Sequence, residues 1–273
     1  MTDTLADALR AFLAEGRPAA IVTVSDAKGS TPREAGAQML VTADGIRGSI
    51  GGGQLELRMI AQAREFLARG ESALTVDMAL GPELGQCCGG HVGVTVALAD
   101  ARTLAEIEAS ERAAAETRPT VLVFGAGHVG RALVRALGAL PFRVRWIDER
   151  RDEFRDVRAD NVEIVVSARS DDEVRRAPPQ AAYVVLTHSH SLDSAIVAAV
   201  LERGDFAYCG LIGSLTKRRV FERAFRDTGI PEATIARLTC PIGDRGVDDK
   251  RPEIIAALAA AELIEVFAGR SSR

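Results

Sequence analysis

The chain has 273 residues, 47% of them hydrophobic and 26% charged, and it carries a formal net charge of −4 at pH 7. These values are typical of a globular protein with a sizeable core, and the length allows two ordinary domains. The negative charge argues against a nucleic-acid partner, because nonspecific binding to nucleic acid needs a basic face for the phosphates.

The sequence contains no recognisable targeting or membrane-spanning pattern. No apolar run approaches the ~18 residues that a span requires, and the acidic first residues do not resemble a signal peptide. We therefore expect a cytoplasmic protein with no membrane partner. In that compartment the four cysteines, Cys87, Cys88, Cys209 and Cys240, are expected to be reduced thiols rather than disulfides.

Residues 1–116 predict a small N-terminal α+β domain. Apolar residues recur at helical spacing over residues 4–15 and from Gln54 onward, and a charged helical segment covers 101–116. Other runs predict strands, at 20–25, 39–42, 46–50, 73–78 and 92–98. The charged helical segment ends before Pro119, where we place the domain boundary.

Residues 117–273 predict a Rossmann-like domain, because strands and helices alternate there, which favours a parallel sheet with right-handed crossovers. The strands are expected at 120–124, 143–147, 162–166, 182–187 and 206–211. The helices are expected at 128–139, 169–176, 191–203, 214–228 and 252–267. The predicted fold class is therefore α/β, with a small α+β domain in front.

A glycine-rich turn opens the second domain, between a buried strand and a helix. Gly125 permits the tight turn, Gly127 lets a pyrophosphate approach the backbone, and Gly130 lets helix and sheet pack closely. Asp148 ends the next strand, at the spacing of an acid that binds ribose. The pattern predicts binding of a nucleotide-like ligand rather than a turn kept for packing alone, and it does not separate NAD from NADP.

Polar residues follow the fourth and fifth strands of this domain. His188 and His190 follow the fourth strand. They would serve either as substrate or metal contacts or as part of a polar helix cap. We favour the cap over metal ligands, because no third ligand has convincing spacing. At the fifth, Gly213 and the helix-capping Ser214, with Lys217, form a candidate anion pocket.

Two loops of the first domain also suit an anion. The segment from Gly29 to Arg33 offers the hydroxyls of Ser30 and Thr31 and the fork of Arg33. The triple glycine Gly51, Gly52 and Gly53, followed by Glu56, precedes a helix. It predicts either a backbone anion site or a flexible connection.

A third loop carries Gln86, Cys87 and Cys88 between glycines. Adjacent thiols in this setting are a poor packing motif and do not match a CxxC zinc or thioredoxin pattern. Accessible thiols suggest a soft metal or sulfur chemistry, and Cys87 and Cys88 are the candidate metal contacts. We expect this loop to face the carboxyl ends of the Rossmann strands, because ligand clefts commonly form between domains.

These motifs, in this order, resemble the xanthine dehydrogenase accessory protein family, also called XdhC/CoxI. The resemblance covers nearly the whole chain and is carried by Gly29 to Arg33, Gly51 to Glu56, Leu84 to Gly90, Phe124 to Gly130 with His128, Thr187 to His190 with Asp193, Gly210 to Ser214 with Lys217, and Cys240 to Gly243. Asp244 departs from the family pattern, where an apolar residue is expected.

The resemblance implies a chaperone for the molybdenum cofactor. Such a protein binds the cofactor, protects it during sulfuration and aids its insertion into xanthine dehydrogenase or a related molybdenum hydroxylase. A cysteine desulfurase or cofactor-biosynthesis protein is then a further expected partner, and we expect a homodimer. An accessory protein of this kind is more consistent with the sequence than an enzyme.

Two other functions remain open at this point. One is an NAD(P)-dependent oxidoreductase, in which His128, His188 or His190 would serve as acid or base. The other is a regulatory protein that senses a dinucleotide through the Rossmann domain, although that role leaves the paired cysteines unused. The sequence does not identify the target enzyme, nor whether the cofactor is bound as a dinucleotide.

Overall fold

A computed structural model describes residues 4–71, 73–80 and 89–269. The chain divides into two compact units between Ala114 and Ala115. The boundary expected after residue 116 lies two residues further along the chain. Each unit has its own sheet and its own hydrophobic clusters.

The N-terminal unit is built on an antiparallel sheet, which within the described residues has five strands in the order β3-β2-β1-β5-β4. Their bounds are β1 Ala20–Lys28, β2 Gln38–Val41, β3 Ile46–Gly48, β4 Ala73–Ala79 and β5 His91–Leu98. Register places Lys28 opposite His91 and Met39 opposite Gly48. The connections after β1 and β3, before β2 and before β5 therefore lie at one end of the sheet.

Helices cover both faces of this sheet: α1 Leu5–Ala14, α2 Gly53–Arg69 and α3 Ala101–Glu116. Alternate residues of a strand point to opposite faces. Val22 and Val24 of β1 accordingly pack in the cluster that contains α2, whereas Ile21 packs with α1 and α3. The predicted α+β architecture of this unit is confirmed.

The C-terminal unit contains a parallel sheet, with the strand order β11-β10-β9-β6-β7-β8 among its described residues. Its strands are β6 Thr120–Phe124, β7 Arg143–Asp148, β8 Val162–Val166, β9 Ala182–Val185, β10 Tyr208–Leu211 and β11 Leu238–Thr239. Counted from β6, this order is 6-5-4-1-2-3, the order of a doubly wound dinucleotide-binding sheet. The predicted Rossmann-like fold is confirmed.

Helices pack on both faces of the parallel sheet. They are α4 His128–Leu137, α5 Ser170–Arg176, α6 His190–Arg203, α7 Leu215–Asp227, α8 Glu232–Ile235 and α9 Pro252–Ala268, with a 3₁₀ turn at Arg151–Glu153. One hydrophobic cluster joins α5, α6 and α7 to the sheet, and another joins α4 and α9 to its other face. The strand order reverses between β6 and β9, so a crevice forms at their carboxyl ends.

Candidate functional sites

Packing within the protein requires glycine at two positions of the glycine-rich turn. Gly125 has φ +117°, which disfavours a side chain, and a Cβ there would lie under 3.0 Å from the carbonyl oxygen of Leu186. A Cβ on Gly130 would lie under 3.0 Å from the carbonyl oxygen of Gly125. Trp146 fixes the same carbonyl by donating from Nε1 at 3.0 Å. Gly125 and Gly130 therefore let β6, α4 and the end of β9 approach each other.

Gly127 is different, because nothing in the described chain requires a glycine there. Its backbone is extended at φ −70°, ψ −169°, and a Cβ would meet no heavy atom within 4 Å. It is the N-cap of α4 and has no side chain to satisfy the N–H groups of the first turn. Within the described part of the chain, the turn thus presents N–H donors without a partner at the positive end of a helix, which is the arrangement that binds phosphate.

Asp148 lies next to this turn, at the end of β7. Its Oδ2 accepts a hydrogen bond from the N–H of Ala126 at 2.7 Å and from Arg150 Nη2 at 2.9 Å. Its Oδ1 accepts from the N–H of Arg150 at 2.9 Å and from Nε at 3.0 Å. Burial raises the pKa of Asp148, but the hydrogen bonds from Arg150 and Ala126 outweigh burial, so the pKa is lowered. The carboxylate is therefore ionised and held in place.

The crevice between β6 and β9 is narrow. It is lined by Phe124, Gly125, Ile147, Asp148, Glu149, Ser167, Ser170, Thr187, His188 and Leu192, and has a volume of about 10 Å³. That space admits about one water molecule. Across its mouth, His188 Nε2 lies 3.7 Å from Glu149 Oε1, and both side chains are partly exposed.

A buried ion pair lies beside the crevice. Lys217 Nζ donates to Asp193 Oδ2 at 2.7 Å and to the carbonyl of Ile212 at 3.0 Å, and the two side chains are 11% and 1% exposed. Asp193 Oδ1 accepts from the N–H of Thr187 at 3.0 Å and from its hydroxyl at 2.7 Å. Lys217 is therefore neutralised by Asp193, and the network joins the end of β9 to α6 and α7.

The other polar residues predicted in this unit lie at helix starts. Ser189 caps α6, His190 is the first residue of that helix and is exposed, and Ser214 caps α7 through the N–H of Lys217. His128 is likewise the first residue of α4 and is exposed. Gly213 has φ +159°, and a Cβ there would lie 2.6 Å from Cδ of Lys217.

The loop after β11 forms a larger pocket that sequence reasoning did not identify. It has a volume of about 470 Å³ and is lined by Ile212, Gly213, Ser214, Pro241, Ile242, Gly243, Asp244, Val247, Asp248, Asp249, Lys250, Ile255 and Leu258. Gly213 and Ser214 were the sequence signal closest to it. Cys240, just before this loop, is buried, as expected of a small apolar residue.

Two predicted loops of the N-terminal unit and Gly90, which follows the third in the sequence, lie together at one end of its sheet. A Cβ on Gly90 would lie under 3.0 Å from the carbonyl of Ser30, so Gly90 packs directly on the Gly29 to Arg33 loop. A Cβ on Gly51 would lie under 3.0 Å from Cβ of Pro32. The structure therefore brings the Ser30 loop, the triple glycine and the segment that follows the paired cysteines into one cluster.

Glu56 serves as the internal anion of the triple-glycine turn. Its Oε2 accepts from Ser49 Oγ at 2.6 Å, from the N–H of Ile50 at 3.1 Å and from the N–H of Gly52 at 3.2 Å. The carboxylate holds the turn in shape, and these donors are already used. The sequence placed Glu56 at the site but did not indicate that it occupies the donors itself.

Arg33 is the available cation of this cluster. The part of the chain that the structure describes offers its guanidinium no hydrogen bond or ion pair. Thr31 and Arg33, with residues 32 and 34–37, line a pocket with a volume of about 480 Å³. Gln86, Cys87 and Cys88 lie outside the described residues, so their predicted role and the predicted orientation of their loop stay predictions.

Two general findings limit the chemistry of the described residues. Among residues 4–71, 73–80 and 89–269, no group of three or more His, Cys, Asp or Glu side chains could hold a metal ion. No helix of these residues is long and apolar enough to cross a membrane.

Strand order and the turn at Gly125 define the class of this protein as α/β with a dinucleotide-type Rossmann fold. Residues 121–263 match the family described as XdhC Rossmann domain, and residues 12–78 match the XdhC and CoxI family. The chain therefore belongs to the XdhC and CoxI family, as its motifs predicted.

Two individual proteins are similar to this chain. The chain is 29% identical over 254 residues to YqeB of Escherichia coli (strain K12), whose function is uncharacterized, and the match covers 91% of this chain but 43% of YqeB. A solved structure described as a xanthine dehydrogenase from Bacillus halodurans has a TM-score of 0.78 at 19% identity. The match covers 99% of this chain and 97% of that one, and it shows a shared fold.

Proposed function

We propose that this protein is an accessory protein of xanthine dehydrogenase or a related molybdenum hydroxylase, and that its cargo is the molybdenum cofactor. The observation that carries the proposal is the open space at Gly127, in a turn whose neighbouring glycines are both fixed by packing. A family member whose glycine-rich turn is shaped to bind phosphate fits a protein that holds a phosphorylated cofactor and passes it on.

Each unit by itself contributes a different part of the chemistry. The N–H groups at Gly127 and His128 would bind the phosphate of the cofactor. In the N-terminal unit, Ser30, Thr31 and Arg33 would bind a polar group, and none of the described residues pairs with the guanidinium of Arg33. Cys87 and Cys88 would provide soft thiolate contacts to molybdenum or its sulfur ligand.

Weak retention of the cargo is consistent with how the Rossmann charges are used. Arg150 is paired with Asp148, and Lys217 with Asp193. The phosphate would therefore be held by backbone donors, without a free lysine or arginine from these two pairs. A carrier must release its cargo, so binding that depends on few strong contacts suits transfer to an enzyme. A cysteine desulfurase that sulfurates the bound cofactor and a homodimeric state are further parts of this proposal.

The proposal is tested by the cofactor content of the Gly127→Val variant. Protein is purified from a molybdate-replete host, and molybdenum and pterin are measured per chain. We expect the variant to melt like the wild type, because its backbone there is extended and its surroundings are open, but to carry much less cofactor. Gly130→Ala is the steric control, because a Cβ at that position clashes with backbone and lowers the melting temperature.

If the folded Gly127→Val protein carries as much cofactor as the wild type, the turn is not the cofactor site. If wild-type protein carries none under these conditions, the accessory role itself lacks support.

The strand order favours a second candidate, an NAD(P)-dependent oxidoreductase or a dinucleotide sensor. Direct titration with NADH and NADPH distinguishes these functions from cofactor carriage. Tight binding that is lost in Gly127→Val would support the nicotinamide functions.

A further inference from the structure

Asp148 occupies the position at which a Rossmann protein binds a ribose diol. A carboxylate has about four acceptor positions. In this structure two donors from Arg150 fill Oδ1, and Ala126 with Arg150 fills Oδ2. A ribose bound in the usual way would donate two O–H groups to this carboxylate, and both would meet acceptors that are already used.

Arg150 would have to leave before a ribose could bind. Its guanidinium bridges both oxygens of Asp148 through Nε and Nη2. Such bidentate, charge-assisted contacts are among the stronger hydrogen bonds in proteins. The side chain of Asp148 is 3% exposed, so the carboxylate would also be left with fewer partners in a poorly solvated place.

The walls of the crevice add a second obstacle. Glu149 Oε1 and His188 Nε2 lie 3.7 Å apart, and both residues line the crevice together with Asp148. The crevice that these residues line has a volume of about 10 Å³, which admits about one water molecule and not a ribose ring. In contrast, the space beside Gly127 is open. The turn is thus accessible to a phosphate while the ribose position is filled from within.

We propose that Arg150 is a specificity-determining residue, which occupies Asp148 and so rejects ligands that place a ribose diol at the end of β7. The ligand class is then a phosphate or pyrophosphate ester without a ribose at that position, such as a phosphorylated pterin. This inference rests on the proposed function. It implies that the site accepts the form of the cofactor that places no nucleotide ribose at Asp148.

The test compares binding of NADH to the full-length wild type and to Arg150→Ala. Removing the guanidinium frees one acceptor position on each oxygen of Asp148, and Arg150→Ala should bind NADH about tenfold more tightly, the gain of one charge-assisted hydrogen bond. Arg151→Ala is the matched control. Arg151 is the next residue, is exposed and has no ion-pair partner among the described residues, so its loss should leave the affinity unchanged.

Further arms address folding and the rival explanation. Arg150→Lys keeps the positive charge but loses the forked guanidinium. If Arg150→Ala does not fold, Arg150→Lys is tested in its place and should also bind NADH more tightly than the wild type. The double variant Arg150→Ala, Asp148→Ala should lose the gain. NADPH is titrated in parallel, because a free arginine could instead contact the additional phosphate of that cofactor.

The proposal is overturned if the wild type binds NADH tightly through Asp148, if Arg150→Ala shows no gain in NADH affinity, or if the wild type binds NADPH and Arg150→Ala abolishes that binding.

Titration with inorganic pyrophosphate separates this inference from the proposed function. If pyrophosphate binding is insensitive to Gly127→Val, the phosphate site fails whatever NADH does. If it is sensitive and the Arg150 variant shows no gain, only the specificity inference fails.

Discussion

Asp148 carries a negative charge in a nearly enclosed position, and its partners make that charge stabilising. Burial by itself raises the pKa of the carboxyl, whereas Arg150 and the N–H of Ala126 lower it, and the net pKa lies below the ordinary 3.8. One residue thereby joins the glycine-rich turn to the end of β7 and keeps Arg150 folded back. Its loss would loosen the turn as well as the ribose position.

The lowered pKa predicts how Asp148 contributes to stability as a function of pH. A carboxyl with a lower pKa in the folded state stabilises the protein fully above its unfolded pKa, near 3.8, and loses this contribution as the pH falls through the folded value. We therefore expect the difference in free energy of unfolding between wild type and Asp148→Asn to be largest above pH 3.8 and to narrow below it. Urea unfolding at a series of pH values measures the difference. A gap that widens on acidification would contradict the assigned direction.

The loops at the ends of the parallel strands are held by contacts between residues of several helices and strands. Lys217 lies in the first turn of α7, and its ammonium donates to Asp193 of α6. Asp193 also accepts hydrogen bonds from Thr187, which follows β9. The pair is nearly inaccessible to water. Removal of one partner of such a pair leaves an uncompensated buried charge, and that loss costs more than the pair contributes when intact.

A double-mutant cycle on Asp193 and Lys217 tests this connection. Asp193→Asn or Lys217→Met alone should lower the free energy of unfolding by roughly 3–5 kcal/mol, because each leaves one buried charge unpaired. The double variant should be more stable than the sum of the single effects predicts, because it removes both buried charges and leaves neither one unpaired. Chemical denaturation of the four proteins gives the coupling. Additive effects would show that the two side chains act independently.

Sequence patterns predicted the elements better than the contacts among them. Apolar periodicity and the strand–glycine–helix context were enough to place the Rossmann strands from β6 to β10. The two-residue β11 is too short to show a period, so it was not predicted. The triple glycine suggested an anion site, but the anion it holds is Glu56. Lys217 suggested a free cation, but Asp193 neutralises it. Such pairings depend on tertiary contacts that residue types alone do not specify.

The two units of the chain offer different chemistry. The Rossmann unit presents backbone donors at Gly127, while its charged groups at Asp148 and Asp193 are paired internally. The N-terminal unit gathers Ser30, Gly51 and Gly90 at one end of its sheet. Gly89 and Gly90 directly follow the paired cysteines in the sequence. The cluster that contains Arg33 therefore also contains Gly90, two residues after Cys88 in the sequence.

This placement leads to a prediction for the cysteines. Cys87→Ala and Cys88→Ala should each lower the molybdenum and pterin content per purified chain, because a thiolate is a soft donor matched to molybdenum and its sulfur ligand. Cys209→Ala is the matched control. Burial raises the pKa of the Cys209 thiol to about 12, so this cysteine is an uncharged core residue, and its replacement should leave loading unchanged.

The measurement is metal analysis and pterin fluorescence on proteins purified in parallel, with thermal melts to confirm folding. A small drop in melting temperature for Cys209→Ala with normal loading would separate a packing effect from a ligand effect. If Cys87→Ala and Cys88→Ala both fold and load cofactor like the wild type, the thiols pack a glycine turn and do not touch the cargo. Binding would then depend on the backbone donors at Gly127 and on Arg33, and sulfuration of the cofactor would have to proceed without a cysteine of this loop.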